Sequence, residues 1–188
     1  MTDFPFFTEG EVVKGFGRGS KELGIPTANF PENVVEQLPE SVSAGIYFGW
    51  ACVDGGDVYK MVMSIGWNPY YQNKKRSMET HIIHKFDEDF YGSSLKVCLL
   101  GYIRAERSFK SLDELIVAIK NDISEAESQL DKVECINYKE DCFFQCSASM
   151  EHLTHYSSDG KSSFHWISYP SSQLTLTLYS ITIYNRPK

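Results

Sequence analysis

The chain has 188 residues, 42% of them hydrophobic, and a formal charge of −7 at neutral pH. That composition suits one packed domain with an extension, and its acidity argues against nucleic acid as the main partner. No run of about 18 apolar residues exists to span a membrane, and Met1-Thr2-Asp3-Phe4-Pro5 lacks the basic and apolar stretches of a signal peptide.

The first strand is expected over residues 8–14. It runs into Gly15-Phe16-Gly17-Arg18-Gly19-Ser20-Lys21-Glu22-Leu23-Gly24-Ile25-Pro26-Thr27-Ala28-Asn29-Phe30. Glycines let backbone N–H groups close on a ligand, which suits a polyphosphate. Thr27 and Asn29 offer neutral oxygens of the kind a hard cation accepts while it keeps waters and phosphate oxygens. The segment is no P-loop, because Lys21 lacks the G-x-x-x-x-G-K-[ST] frame. Nor does it open a helix as a dinucleotide fingerprint must, given Pro26 and its β-prone neighbours. Read by itself, the alternative is an ordinary turn between strands.

Further strands are expected over 45–53, 58–65, 77–84 and 95–103, rich in β-branched and aromatic residues. Asp54-Gly55-Gly56-Asp57 reads as a hairpin connection. Short strands separated by such turns predict a closed or nearly closed antiparallel barrel. Ser111 with Glu114 forms a capping box. It opens a helix in which Leu112, Leu115, Ile116, Ile119, Ile123 and Leu130 share a stripe. Asp113, Lys120, Asp122, Glu125, Glu127 and Gln129 are expected to face water.

Alternation in the 77–84 strand puts Glu79 and His81 on one face, with Met78, Thr80 and Ile82 on the other. A carboxylate among such apolar neighbours is solvated, paired or working; an exposed strand glutamate is the plain alternative. His81-Ile82-Ile83-His84 is not read as a metal pair, because strand residues three apart point to opposite faces. Lys74-Lys75-Arg76 is too small a basic run for a nucleic-acid patch.

The glycine segment, Gly66-Trp67-Asn68-Pro69-Tyr70-Tyr71 and Ser77-Met78-Glu79-Thr80-His81-Ile82 together resemble riboflavin kinase of the eukaryotic, single-function type. The resemblance runs from about Phe6 to Gln145. It implies a six-stranded antiparallel Greek-key barrel with one α-helix packed outside. The implied activity is transfer of the γ-phosphate of ATP to the ribityl 5′-hydroxyl of riboflavin, giving FMN and ADP. By the same resemblance Glu79 is the general base, and Gly15, Lys21 and Thr27 touch the nucleotide phosphates. Thr27 and Asn29 hold Mg²⁺, with Zn²⁺ or Mn²⁺ not distinguished from it. Ile82, His84 and Tyr91 fall on the adenine side, and Arg104, Arg107 and Phe109 on the flavin side. Arg107 stands where the family often has Lys.

Cys52, Cys98, Cys135, Cys142 and Cys146 form an odd, scattered set, read as free thiols in a reducing compartment. A cytoplasmic monomer acting on riboflavin and ATP is the resulting expectation. From Ser147 to Lys188 the chain turns Ser/Thr-rich and charge-poor and departs from the family. This is read as a boundary between a 1–146 kinase domain and a poorly ordered 147–188 extension. Neither Gly160-Lys161-Ser162 nor the Cys142, Cys146, His152, His155 spacing makes a usable motif. The competing functional reading is a flavin- or nucleotide-binding adaptor whose variant C-terminus has cost it turnover.

Overall fold

The computed structural model describes residues 4–15, 23–67 and 75–145. The six strands are β1 (Phe6–Glu11), β2 (Ala28–Asn29), β3 (Gly45–Val53), β4 (Val58–Trp67), β5 (Arg76–Ile82) and β6 (Ser94–Arg104). They form one antiparallel sheet in the order β1-β6-β3-β4-β5-β2. Strands β3, β4 and β5 pair consecutively and β6 returns beside β3, which is a Greek key. Beyond β1 the chain reaches across to the opposite edge, where Val13 N donates to Asn29 O at 2.9 Å. That bridge draws β1 and β2 together and curls the sheet into a half-barrel, in keeping with the sequence expectation.

Local chemistry accounts for the turns. Asp54 and Gly55 have φ of 49° and 69°, the two left-handed positions of a type I′ hairpin. Asp54 is tolerated there because its carboxylate accepts from Ser94 N at 2.8 Å. The expected strands are all present, β3 with the expected ends and the others with ends displaced by at most three residues. Besides three short C-terminal turns, two elements lie outside the sequence reading: the two-residue β2 and a short helix, α1 (Glu32–Val35). Both are too brief to show periodicity.

The sheet has two buried faces. Tyr47, Met61, Met63, Ile65, Met78, Leu95 and Leu99 fill the inside of the curl. On the outside, Phe48, Trp50, Val62 and Cys98 pack beneath α2 (Leu112–Leu130) and the C-terminal turns. Those turns are α3 (Val133–Ile136), a 3₁₀ turn (Asn137–Glu140) and α4 (Cys142–Gln145). Trp50 Nε1 donates to Cys135 O at 2.9 Å, and Lys96 Nζ to Phe143 O at 3.0 Å, fastening them to the sheet. Cys52 and Cys98 are buried as expected, and burial pushes both thiols upward.

Helix α2 begins where the capping box places it, with Ser111 Oγ accepting from Glu114 N at 3.2 Å. Of the expected stripe, Leu130 is buried and Leu115, Ile116, Ile119 and Ile123 are half-buried, but the centre of the buried face lies to one side of it. The buried residues are Ala118, Asp122, Ala126 and Leu130, four apart, whereas Leu112 is 54% exposed. Asp122 therefore does not face water. Small alanines on either side bring the helix close enough for its carboxylate to meet a cation on the sheet.

The chain divides into two units, Met1–Ser149 and Met150–Lys188. The second lies outside the described residues, as do Lys21, Cys146 and the 147–188 extension. Among the described residues no helix is long and apolar enough to cross a membrane.

The rotated face of α2 sets a stability ranking. Ala126→Leu is expected to cost about 1–3 kcal/mol by overpacking, and Leu112→Ala about 0.5 kcal/mol or less. Thermal unfolding of the two variants checks the order, and a reversal would restore the stripe read from sequence.

Candidate active site

The site is built on a register. Strand β2 contributes two pairs to β5, Ala28 opposite Thr80 and Asn29 opposite Glu79. Directly paired antiparallel residues share a face, with Cβ atoms about 4.5–5.5 Å apart. Ala28 and Thr80 are buried toward the inside of the curl. Asn29 and Glu79 consequently lie side by side on the outer face. The alternation expected for β5 is observed: Met78, Thr80 and Ile82 are buried, while Glu79 and His81 are half-buried.

The row continues across the sheet. Glu79 pairs with Ser64, Ser64 with Ile46, and Ile46 with Arg104. Three strand spacings separate Glu79 from Arg104, about 14 Å. A register shift between Ile46 and Tyr47 in the β3–β6 ladder adds one residue to β6. Such a bulge re-aims side chains. Ile103 joins the outer apolar cluster here, and Arg104 reaches α2.

Arg104 is held rather than loose. Its Nε donates to Asp122 Oδ1 at 2.7 Å and its Nη2 to Asp122 Oδ2 at 2.6 Å. Nη1 donates to Ala105 O at 3.0 Å, fixing the start of the segment that leaves β6. Farther along that segment, the Phe109 ring lies 5.9 Å from the Arg104 guanidinium carbon and 5.0 Å from that of Arg107. The three flavin-side candidates are thus neighbours, cross-linked by cation–π contacts. Glu106 rests its carboxylate against Gly66, where a Cβ would overlap it. Gly66 pairs with Ser77, two residues from Glu79.

At the other end of the row, Gly15 lies against the Asn29 carboxamide, and a Cβ at position 15 would overlap it. Asn29 Nδ2 donates to Thr27 O at 3.4 Å, which leaves Oδ1 as the acceptor available to a cation. Val12 and Gly92 are joined through Val12 N to Ser93 O and Gly92 N to Val12 O. This brings Tyr91 beside Lys14, whose Nζ stands 5.9 Å from the ring centroid. His84 stacks on Tyr59 at 4.0 Å and meets Phe86 edge-on at 4.9 Å. Ile82 turns inward and packs in the core, so its side chain supports this end from beneath.

The structure therefore brings Gly15, Thr27, Asn29 and Glu79 to one corner, and Arg104, Arg107 and Phe109 to the far end of the same face. Tyr91 lies beside Lys14, next to Gly15 in the chain, whereas Ile82 is in the core and His84 packs with Tyr59 and Phe86, so none of the three is on the row. Sequence reading missed Asp122 and His81 as site supports. Asp122 between Ala118 and Ala126, four residues either way, was the available signal: a carboxylate set in a stripe of small residues.

The family model for riboflavin kinase (Flavokinase) matches residues 2–130. Among curated proteins, the chain is similar to riboflavin kinase of Mus musculus, 64% identical over 147 residues, covering 78% of this chain and 95% of the relative. It is 61% identical over 149 residues to riboflavin kinase of Homo sapiens, covering 79% of this chain and 96% of that protein. Among solved structures, riboflavin kinase from Trypanosoma brucei superposes with a TM-score of 0.63 at 30% identity, over 78% of this chain and 93% of the other. With the family model spanning well over half the sequence and such relatives matched nearly end to end, the chain belongs to the riboflavin kinase family, the kinases that phosphorylate riboflavin.

Proposed function

We propose that this chain transfers the γ-phosphate of ATP to the ribityl 5′-hydroxyl of riboflavin, with Glu79 as general base. The observation that carries the assignment of roles is the pairing of Asn29 with Glu79. It sets a neutral oxygen ligand, on the buried Asn29, beside an ionisable, half-buried carboxylate on the same face, at the corner where the glycine segment begins.

In this reading the ribityl oxygen attacks the γ-phosphorus and forms the new P–O bond. The bond from that phosphorus to the β–γ bridging oxygen breaks, and ADP leaves with its electron pair. The hydroxyl proton passes to the Glu79 carboxylate. An ordinary carboxylate cannot ionise an alcohol outright. Glu79 instead orients the hydroxyl and accepts the proton late, as the oxygen loses its nucleophilic charge.

Thr27 and Asn29 would hold a divalent cation of the Mg²⁺ type. The donor set fits: neutral oxygens bind such an ion weakly by themselves and suit one that arrives with phosphate oxygens. The contact of Gly15 with the Asn29 carboxamide supports the fit, since only glycine leaves that side chain its place. When bound, the ion would neutralise charge on the phosphates. Gly15 and Lys21 serve the phosphates, and His84, Tyr91 and the backbone around Ile82 the adenine side. Arg104, Arg107 and Phe109 form the flavin end of the row, with Asp122 holding Arg104 in place.

FMN formation from riboflavin and Mg-ATP, followed by chromatography, tests the assignment. Glu79→Gln is expected to lower kcat by about 10²–10⁴-fold with both KM values little changed. Full activity in this variant would remove Glu79 from the chemistry. Gly15→Ala is expected to cut kcat/KM for Mg-ATP by about 10²-fold by displacing Asn29, with riboflavin KM unaffected. Asp122→Asn breaks the bidentate bond and is expected to raise riboflavin KM about tenfold. Its Mg-ATP KM should stay at the wild-type value, and an unchanged riboflavin KM would detach Arg104 from flavin binding.

A further inference from the structure

The β2–β5 ladder stops one residue short of where it is needed. Its pairs are Ala28 with Thr80 and Asn29 with Glu79. One further step would set Thr27 against His81, but Thr27 lies outside the strand. Pro26 has no N–H, so the preceding residue offers no backbone donor to fasten the segment. The imidazole of His81 makes the missing connection. Its Nδ1 lies 2.9 Å from Pro26 O. A carbonyl only accepts, so Nδ1 carries the hydrogen and donates it.

A second bond holds the same segment from the other side, Asn29 Nδ2 donating to Thr27 O at 3.4 Å. The carbonyls of Pro26 and Thr27 are thus each engaged by a side chain, one from β5 and one from β2. His81 sits two residues beyond Glu79 on the same face. One strand therefore carries both the carboxylate and the group that fixes the turn bearing Thr27. His84 takes no share in this, because its ring is stacked on Tyr59. Among the described residues no group of three or more His, Cys, Asp or Glu could hold a metal, so His81 is not part of a ligand cluster.

We propose that His81 is a positioning residue for nucleotide binding. It clamps the Pro26–Thr27 turn to β5 through Nδ1–H, so that the Thr27 hydroxyl and the Asn29 carbonyl oxygen are presented together to a metal-bound polyphosphate. It touches neither phosphate nor metal. This rests on the reading of Thr27 and Asn29 as the metal–phosphate ligands.

The test is Mg-ADP binding to the full chain by calorimetry, with amide hydrogen exchange over residues 25–28 of the ligand-free protein. The variants are His81→Ala, His81→Gln, His81→Asn and Thr27→Val. Asparagine places an amide N–H near the position of Nδ1, whereas glutamine places it near Nε2. His81→Ala and His81→Gln are expected to weaken Mg-ADP binding about tenfold and to speed exchange at Thr27. His81→Asn is expected to stay within about threefold of wild type, and riboflavin affinity to hold throughout. Wild-type binding by His81→Ala alongside weakened binding by Thr27→Val overturns the clamp and leaves the ligand reading standing. Wild-type binding by Thr27→Val overturns the ligand reading and the clamp with it. Equal losses in all three His81 variants, following a shared fall in Tm, overturn the proposal in favour of a purely structural histidine.

Discussion

The site depends on a two-residue strand. Ala28 and Asn29 are all of β2, yet their register on β5 decides which side chains share the outer face with Glu79. A slip of one residue would turn Asn29 into the core and bring Ala28 outside, since side chains alternate with period two. So short a ladder cannot hold its register by hydrogen bonds alone. It is held by what flanks it: the Val13–Asn29 bridge on one side, the seven-pair β4–β5 ladder on the other, and burial of Ala28 beneath. Closing the curl and building the corner are the same event.

Close approach is the second constraint, and small residues supply it. Gly15 lets the chain lie against the Asn29 carboxamide, and Gly66 does the same for Glu106. Ala118 and Ala126 let α2 settle low enough for Asp122 to reach Arg104 on the sheet. A larger side chain at any of these positions would push a functional group away before it disturbed the barrel. Buried ion pairs contribute little net stability after desolvation. The Arg104–Asp122 pair is better understood as fixing direction: two parallel bonds orient a planar guanidinium, and a third to Ala105 O ties it to the segment carrying Arg107 and Phe109.

The sheet serves as a partition. Its inner face is filled mainly with apolar side chains, Thr80 being the polar residue it takes from the corner, whereas Asn29, Glu79 and His81 lie on the other face. Its outer face is divided: β3, β6 and part of β4 are covered by α2 and the C-terminal turns, whereas the β2–β5 end beside Glu79 is left outside that cover. The helix thereby walls one end of the row, and Gly15 and Asn29 mark the other.

Much of this was legible beforehand. Strand alternation gave the face of Glu79, because period two needs only the backbone and a buried side. The capping box gave the start of α2, because its hydrogen bonds are local. The Pro-Thr-Ala-Asn run shows its neutral oxygens without any folding, because donor type is written in the residues themselves. What tertiary structure alone decided was who meets whom. No local signal pairs Asn29 with Glu79, fifty residues on, or aims His81 at Pro26. Asp122 looked solvent-facing because leucines and isoleucines outweigh alanines in any hydrophobic stripe, yet the close-packed side of a helix goes to its smallest residues. Residue chemistry and short-range periodicity belong to the sequence; register and proximity arise only when distant segments compete for the same buried space.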